Sequence, residues 1–210
     1  MKILTMFYDS ASELKSIRCL TTTGVLVAIG IILNMPGLPF SFQLATFKIT
    51  FGYLAIATIA MLYGPVVAMI AAIPYDLIPA AMGAQGVNFF FLIPEVLIGL
   101  IFGIFLYGYA SRGIIKGGAG WAAWQVMRIA FARLLVMVVC YFLLNNFIIF
   151  LVMLPPGRAE QILSEGTFWA WAFARNGVKN IVQFPIDMVL MFTLLPIINN
   201  AYRKAVRYNN

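Results

Sequence analysis

Apolar residues run along this chain in long blocks, and polar residues gather between the blocks rather than alternating within them. Blocks of about 20 apolar residues match the hydrocarbon thickness of a bilayer. Six such spans are predicted, at 20–35, 47–63, 65–82, 87–109, 123–154 and 176–199. Gly64-Pro65 separates the second from the third, and so short a break permits little but an antiparallel hairpin. The fifth block exceeds one crossing and must tilt, protrude or begin along the surface. Residues 1–19 are expected as a cytoplasmic or interfacial segment and 201–210 as a basic cytoplasmic tail. The expected fold is an all-α integral membrane protein, a compact bundle of six transmembrane helices over residues 20–200.

Composition strengthens that class. The chain has 210 residues, 63% hydrophobic and 10% charged, where a soluble domain carries roughly 25% charged residues. Mean hydropathy is +0.96. Met1 to Arg18 is mixed polar sequence without the pattern of a cleaved signal peptide. The net charge of +7 is spread over loops and helix ends, as a topology signal is, so nucleic acid is not expected as a partner. Cys19 and Cys140 form no CxxC, and no metal site is expected. There is no histidine, which removes Ser-His triads and HExxH zinc chemistry. No GxxxxGK[ST] phosphate loop is present, so the chain is not expected to hydrolyse ATP.

Basic residues set the expected orientation. Lys2, Lys15 and Arg18, then Arg112 and Lys116, then Arg203, Lys204 and Arg207 fall on one side; Lys48, Arg158, Arg175 and, at the span's edge, Lys179 fall on the other. The excess predicts cytoplasmic termini. The 1–2, 3–4 and 5–6 connections, at about 36–46, 83–86 and 155–175, are then external.

Ionisable and amide groups inside spans mark candidate sites, because hydrocarbon penalises them. Lys48 opens span two, Asp76 lies in the outer half of span three, and Glu95 lies about two turns into span four. Asn145 and Asn146 lie in the outer part of span five, and Arg175, Lys179, Asn180 and Gln183 in the outer half of span six. Their common depth predicts a cavity open outward and closed inward. Each has a plainer alternative. Lys48 and Arg175 fit interfacial snorkelling, the asparagine pair fits interhelical hydrogen bonding, and Asp76 and Glu95 fit structural pairing with Lys179 or Arg175. Asp187, deeper in span six, reads as structural, and Trp169 and Trp171 fit an aromatic belt equally well. On the inner face, Gly24 and Ala28 make a small-xxx-small pair, with Gly30 nearby, suited to a helix of this chain or of another protein. Arg128 and Arg133 are expected at headgroups or facing such a partner.

The stretch FKITFGYLAIATIAMLYGPVVAMIAAIPYDL (47–77) resembles helices two and three of the folate-type substrate-binding subunits of energy-coupling-factor (ECF) vitamin importers. That pattern is a basic residue, an Ile-Ser/Thr-Phe-Gly step, an apolar run, Gly-Pro, then an Asp near the outer end of helix three. GLIFGIFLYG (99–108), LLNNFIIFLVMLPPG and RNGVKNIVQFPIDMVL (175–190) are similar to the family's helices four, five and six. The resemblance implies a binding subunit of the bacterial plasma membrane, with no catalysis and no cofactor of its own. It implies capture of a vitamin from outside under a lid formed by the first outer loop. The expected partners are a transmembrane coupling protein and two ATPase subunits that use ATP, with Gly24 and Ala28 at the docking position. The segment entering helix four, GAQGVNFFFLIPEVLIG (83–99), lacks the usual Gly-Tyr-Phe-Pro-Gly-like step; it carries Asn88 into the implied ligand site. A vitamin with a carboxylate, hydroxyls and an amide suits Lys48, Arg175, Lys179 and the asparagines, so pantothenate is expected first and folate second. Two other classes stand beside this one: a small membrane enzyme using Asp76 and Glu95, and a membrane scaffold whose polar groups are structural.

Overall fold

The computed structural model describes residues 3–35, 42–43, 48–49, 51–82, 89–107 and 119–208. Helix α1 (Ile3–Glu13) precedes α2 (Ile17–Asn34). A short antiparallel pair, β1 (Phe42–Gln43) and β2 (Lys48–Ile49), leads into α3 (Tyr53–Tyr63) and α4 (Pro65–Ala81). A 3-10 turn at Phe89–Phe91 opens α5 (Leu92–Leu106). Helix α6 starts as Ala119–Leu135 and continues through π-helical turns to residue 153. Helix α7 (Pro156–Ser164) follows. Helix α8 begins at Phe168–Ala172, passes a π-helical turn at Phe173–Gly177 and runs on as Val178–Tyr208.

Four apolar stretches are long enough to cross a bilayer: Ile17–Asn34, Phe89–Leu106, Trp124–Met153 and Phe168–Ala205; Tyr53–Tyr63 and Pro65–Ala81 are shorter. The predicted span 47–63 is therefore corrected, because its first residues are strand and its helix starts at Tyr53. Its 11 residues rise only about 16 Å, half a bilayer core. So short a helix is tolerated because it is sheathed in protein: every residue of α3 except Leu62 is buried, and α2, α4, α5 and α8 all pack on it. Two further expectations change. The predicted external 5–6 loop is mostly helical, and the predicted tail is the last part of α8.

The Gly64-Pro65 hairpin is built as its residues dictate. Gly64 sits at φ +89°, left-handed backbone that residues with a Cβ rarely adopt. Pro65 takes the first helical position, where an N–H is dispensable. The next donors are capped from elsewhere: Ser10 Oγ accepts the N–H of Val66 at 3.0 Å and of Val67 at 3.3 Å, and donates to the Tyr63 carbonyl at 2.7 Å. Helix α1 is thus fastened to the turn between α3 and α4.

Helices α4 and α5 touch closely along Gly99 and Gly103. A Cβ at Gly103 would lie 2.2 Å from Pro65 Cα, and one at Gly99 would lie 2.8 Å from the Ala68 carbonyl carbon. This G-x-x-x-G spacing lets two backbones approach in lipid, where packing rather than hydrophobicity joins helices. Gly103→Ala is expected to lose about 1–3 kcal/mol by overpacking, read as a lower melting temperature of the purified chain in detergent. An unchanged melt would mean that the two helices separate at this point without cost.

Candidate ligand-binding site

Polar residues converge from four helices. Glu95, in the first turn of α5, lies within electrostatic reach of Asp76 on α4, Arg133 on α6 and Lys179 on α8. Tyr75 lies within reach of Glu95, Asp76 and Tyr141, and its hydroxyl interacts with the Asn34 side chain of α2. Tyr141, from the π-helical part of α6, lies within reach of both Glu95 and Arg133. Glu95 and Tyr141 are surrounded by protein mass, yet both keep accessible surface. Lys179 and Asp76 are half-buried at the same cluster.

Beneath it lies a charge pair. Arg133 and Asp187 are both fully buried; Arg133 Nε donates to Asp187 Oδ2 at 2.8 Å, and Nη2 donates to the same oxygen. The guanidinium also lies 4.0 Å from the Tyr53 ring centre and 5.5 Å from that of Tyr141. Arg133 was expected at headgroups or facing a partner, and that is corrected: hydrocarbon leaves a charge at this depth no stable place except against its counter-ion. Asp187 serves the structural role expected of it. Arg128 also turns inward, donating to the carbonyls of Phe105 and, at 3.4 Å, Tyr107 at the end of α5.

The other predicted site residues divide. Asn146 is buried and its amide N–H groups are spent on the carbonyls of Phe142 (2.8 Å) and Ala172 (3.3 Å). Its oxygen accepts from Asn176 at 2.6 Å. It therefore cross-links α6 to α8, the interhelical alternative, and has no donor left for a ligand. Neighbouring Asn145 is different, since its buried Oδ1 has no hydrogen-bond partner among the described residues. Arg175 is exposed and sits 5.8 Å from the Trp171 ring centre, apolar support for a cation at a membrane end. Trp171 belongs in turn to an edge-packed group with Phe150 and Phe168, so it joins α6 to α8 rather than lying singly in a belt. Lys48 is placed by backbone register opposite Gln43, and Asn88 lies outside the described residues.

Gly24 and Ala28 are exposed on α2, and a Cβ at Gly24 would meet nothing within 4 Å. Gly30 is not part of that open stripe: it is buried, and a Cβ there would lie 2.7 Å from that of Ala55. Sequence reasoning missed Tyr75 and Tyr141, which read there as ordinary apolar-run residues, and missed the Gly99/Gly103 seam, whose signal was visible.

Comparison with known proteins adds three findings. A family model described as "ECF transporter, substrate-specific component" matches residues 18–195. No curated protein matches the chain in sequence. Among solved structures, the chain is similar to one titled "Crystal structure of FolT bound with folic acid", with a TM-score of 0.62 and 20% identity over 85% of this chain and 93% of that one.

Proposed function

The chain belongs to the substrate-specific components of ECF transporters, a substrate-binding transporter subunit and not an enzyme, and from that premise we propose that it captures a water-soluble vitamin at the polar cluster around Glu95. The observation that carries this is Glu95 itself: it keeps accessible surface on α5 and lies within electrostatic reach of Asp76, Lys179 and Tyr141. Four long apolar helices and two shorter ones support six membrane segments. The Lys and Arg distribution supports cytoplasmic termini, and membership of this transporter family supports a bacterial plasma membrane.

The charge balance of the cluster reverses the expected order of ligands. Arg133 and Asp187 neutralise each other, which leaves Asp76 and Glu95 against Lys179. Two carboxylates accept hydrogen bonds and repel anions. A heterocycle rich in N–H donors, such as the pterin of folate, suits this cluster better than the carboxylate of pantothenate. The folic acid in the structurally similar FolT points the same way. The ligand's own carboxylates would then be left to basic residues beyond the cluster, with Lys48 and Arg175 the candidates. The purified chain is expected to melt higher with folate than with pantothenate, since a ligand of the folded state stabilises it by mass action. No shift with any of a panel of water-soluble vitamins would remove the proposal.

Delivery requires the ATP-driven module: a coupling membrane protein and two ATPase subunits. The open face at Gly24 and Ala28 suits close helix contact with the coupling protein. Gly24→Leu and Ala28→Leu are expected to leave vitamin affinity within about twofold and to abolish uptake by cells, because added bulk blocks approach. Equal loss of binding and uptake would show that this face belongs to the ligand site instead.

A further inference from the structure

Tyr75 lies on α4 beside Asp76 and is only 6% exposed. Its ring fills a socket between α2 and the start of α3. A Cβ at Gly30 would lie 3.0 Å from Tyr75 Cε2, and one at Gly52 would lie 2.0 Å from Tyr75 Oη and 2.8 Å from the Gly30 carbonyl oxygen. Gly52 has ordinary right-handed helical backbone, φ −59° and ψ −27°. The close approach of the phenol and of α2, not backbone conformation, therefore demands glycine there. Packing alone would be served by phenylalanine at 75, which relieves that approach and buries no hydroxyl.

The hydroxyl touches two points far apart in sequence. It interacts with the side chain of Asn34, the last residue of α2, and it lies against Gly52, which leads into α3. Between Asn34 and Gly52 runs the segment that carries β1 and β2. One buried hydroxyl thus meets the segment where it leaves α2 and where it enters α3. The residue after Gly52, Tyr53, sets its ring 4.0 Å from the Arg133 guanidinium, so the root of α3 is held from two sides. Tyr75 also lies within electrostatic reach of Asp76, Glu95 and Tyr141.

The geometry points to Tyr75 as a positioning residue for ligand binding: its hydroxyl clasps both ends of the β1–β2 segment to α4 and so sets where that segment stands relative to Glu95. The functional half of this inference rests on the vitamin reading of the Glu95 cluster; the clasp does not.

The test compares Tyr75→Phe with the unaltered full chain in detergent, by trypsin cleavage and by folate binding. Loss of one hydrogen bond that holds the segment is expected to speed cleavage after Lys48, on β2, about 10-fold, because proteolysis follows local opening. Cleavage after the exposed Arg158 on α7 is expected to stay the same. Folate affinity is expected to fall about 10-fold, with the unliganded melting temperature little changed. Should Tyr75→Phe fail to fold, Asn34→Ala removes the partner of the hydroxyl and is expected to give the same pattern. Unchanged cleavage after Lys48 would overturn the clasp. Faster cleavage with unchanged folate affinity would overturn the positioning role, and equal acceleration after Lys48 and Arg158 would reduce Tyr75 to a core residue. If the unaltered chain binds no folate, faster cleavage after Lys48 alone would uphold the clasp while the folate reading fell.

Discussion

Arg133→Gln is expected to destabilise the purified chain by about 3–5 kcal/mol, because it leaves Asp187 charged and unpaired in the interior. Both partners are fully buried and bonded through one carboxylate oxygen, with Tyr53 stacked on the guanidinium. Asp187→Asn strands the arginine and is expected to cost a similar amount. For a chain of this size the loss corresponds to a fall in melting temperature of roughly 10 °C. Replacing both partners together, as Arg133→Met with Asp187→Leu, is expected to recover most of it, since a well-packed apolar pair removes the desolvation penalty. Thermal melts of the three variants in one detergent check this. Single variants that melt within 2 °C of the unaltered chain would show that the pair does not hold α6 to α8.

Glu95→Gln carries the other large effect, and on binding rather than on folding. A hydrogen bond to a charged group is worth about 1.5–3 kcal/mol, so a donor-rich vitamin is expected to bind roughly 10- to 100-fold more weakly. The melting temperature without ligand is expected to stay near that of the unaltered chain, because Glu95 keeps accessible surface and its shape is preserved in Gln. The sign of the change separates ligand classes. An anionic vitamin seated by its carboxylate at this cluster would bind more tightly to Glu95→Gln, since one repelling charge is gone. Titration of the purified variant with folate and with pantothenate reads both outcomes.

Much of the fold was legible because lipid imposes simple rules on sequence. Long apolar blocks mark helices, and the ends of Ile17–Asn34, Phe89–Leu106 and Trp124–Met153 fall within a few residues of the expected spans. Gly64-Pro65 announced its hairpin by residue type alone. The start of α3 was not legible, because FKITFG runs into the helix without a proline or other break, and only the pairing of Lys48–Ile49 with Phe42–Gln43 reveals a strand. Polarity also drew attention to Asp76, Glu95 and Lys179, and the structure brings Asp76 and Lys179 within electrostatic reach of Glu95. What it could not provide was pairing across the chain. Arg133 and Asp187 are 54 residues apart, and their mutual neutralisation exists only once α6 lies on α8. The same holds for Asn146, whose donors are consumed by Phe142 and by Ala172, 26 residues away. An intramembrane polar residue signals that something must satisfy it, and the sequence does not say whether that is a ligand or a neighbouring helix.

Equilibrium dialysis of the purified chain against labelled folate, beside its Glu95→Gln variant, measures the central claim most directly. Saturable retention by the unaltered chain alone, without the coupling protein or ATPases, weakened at least tenfold in the variant, is expected. Equal retention by both proteins would contradict a vitamin site at Glu95.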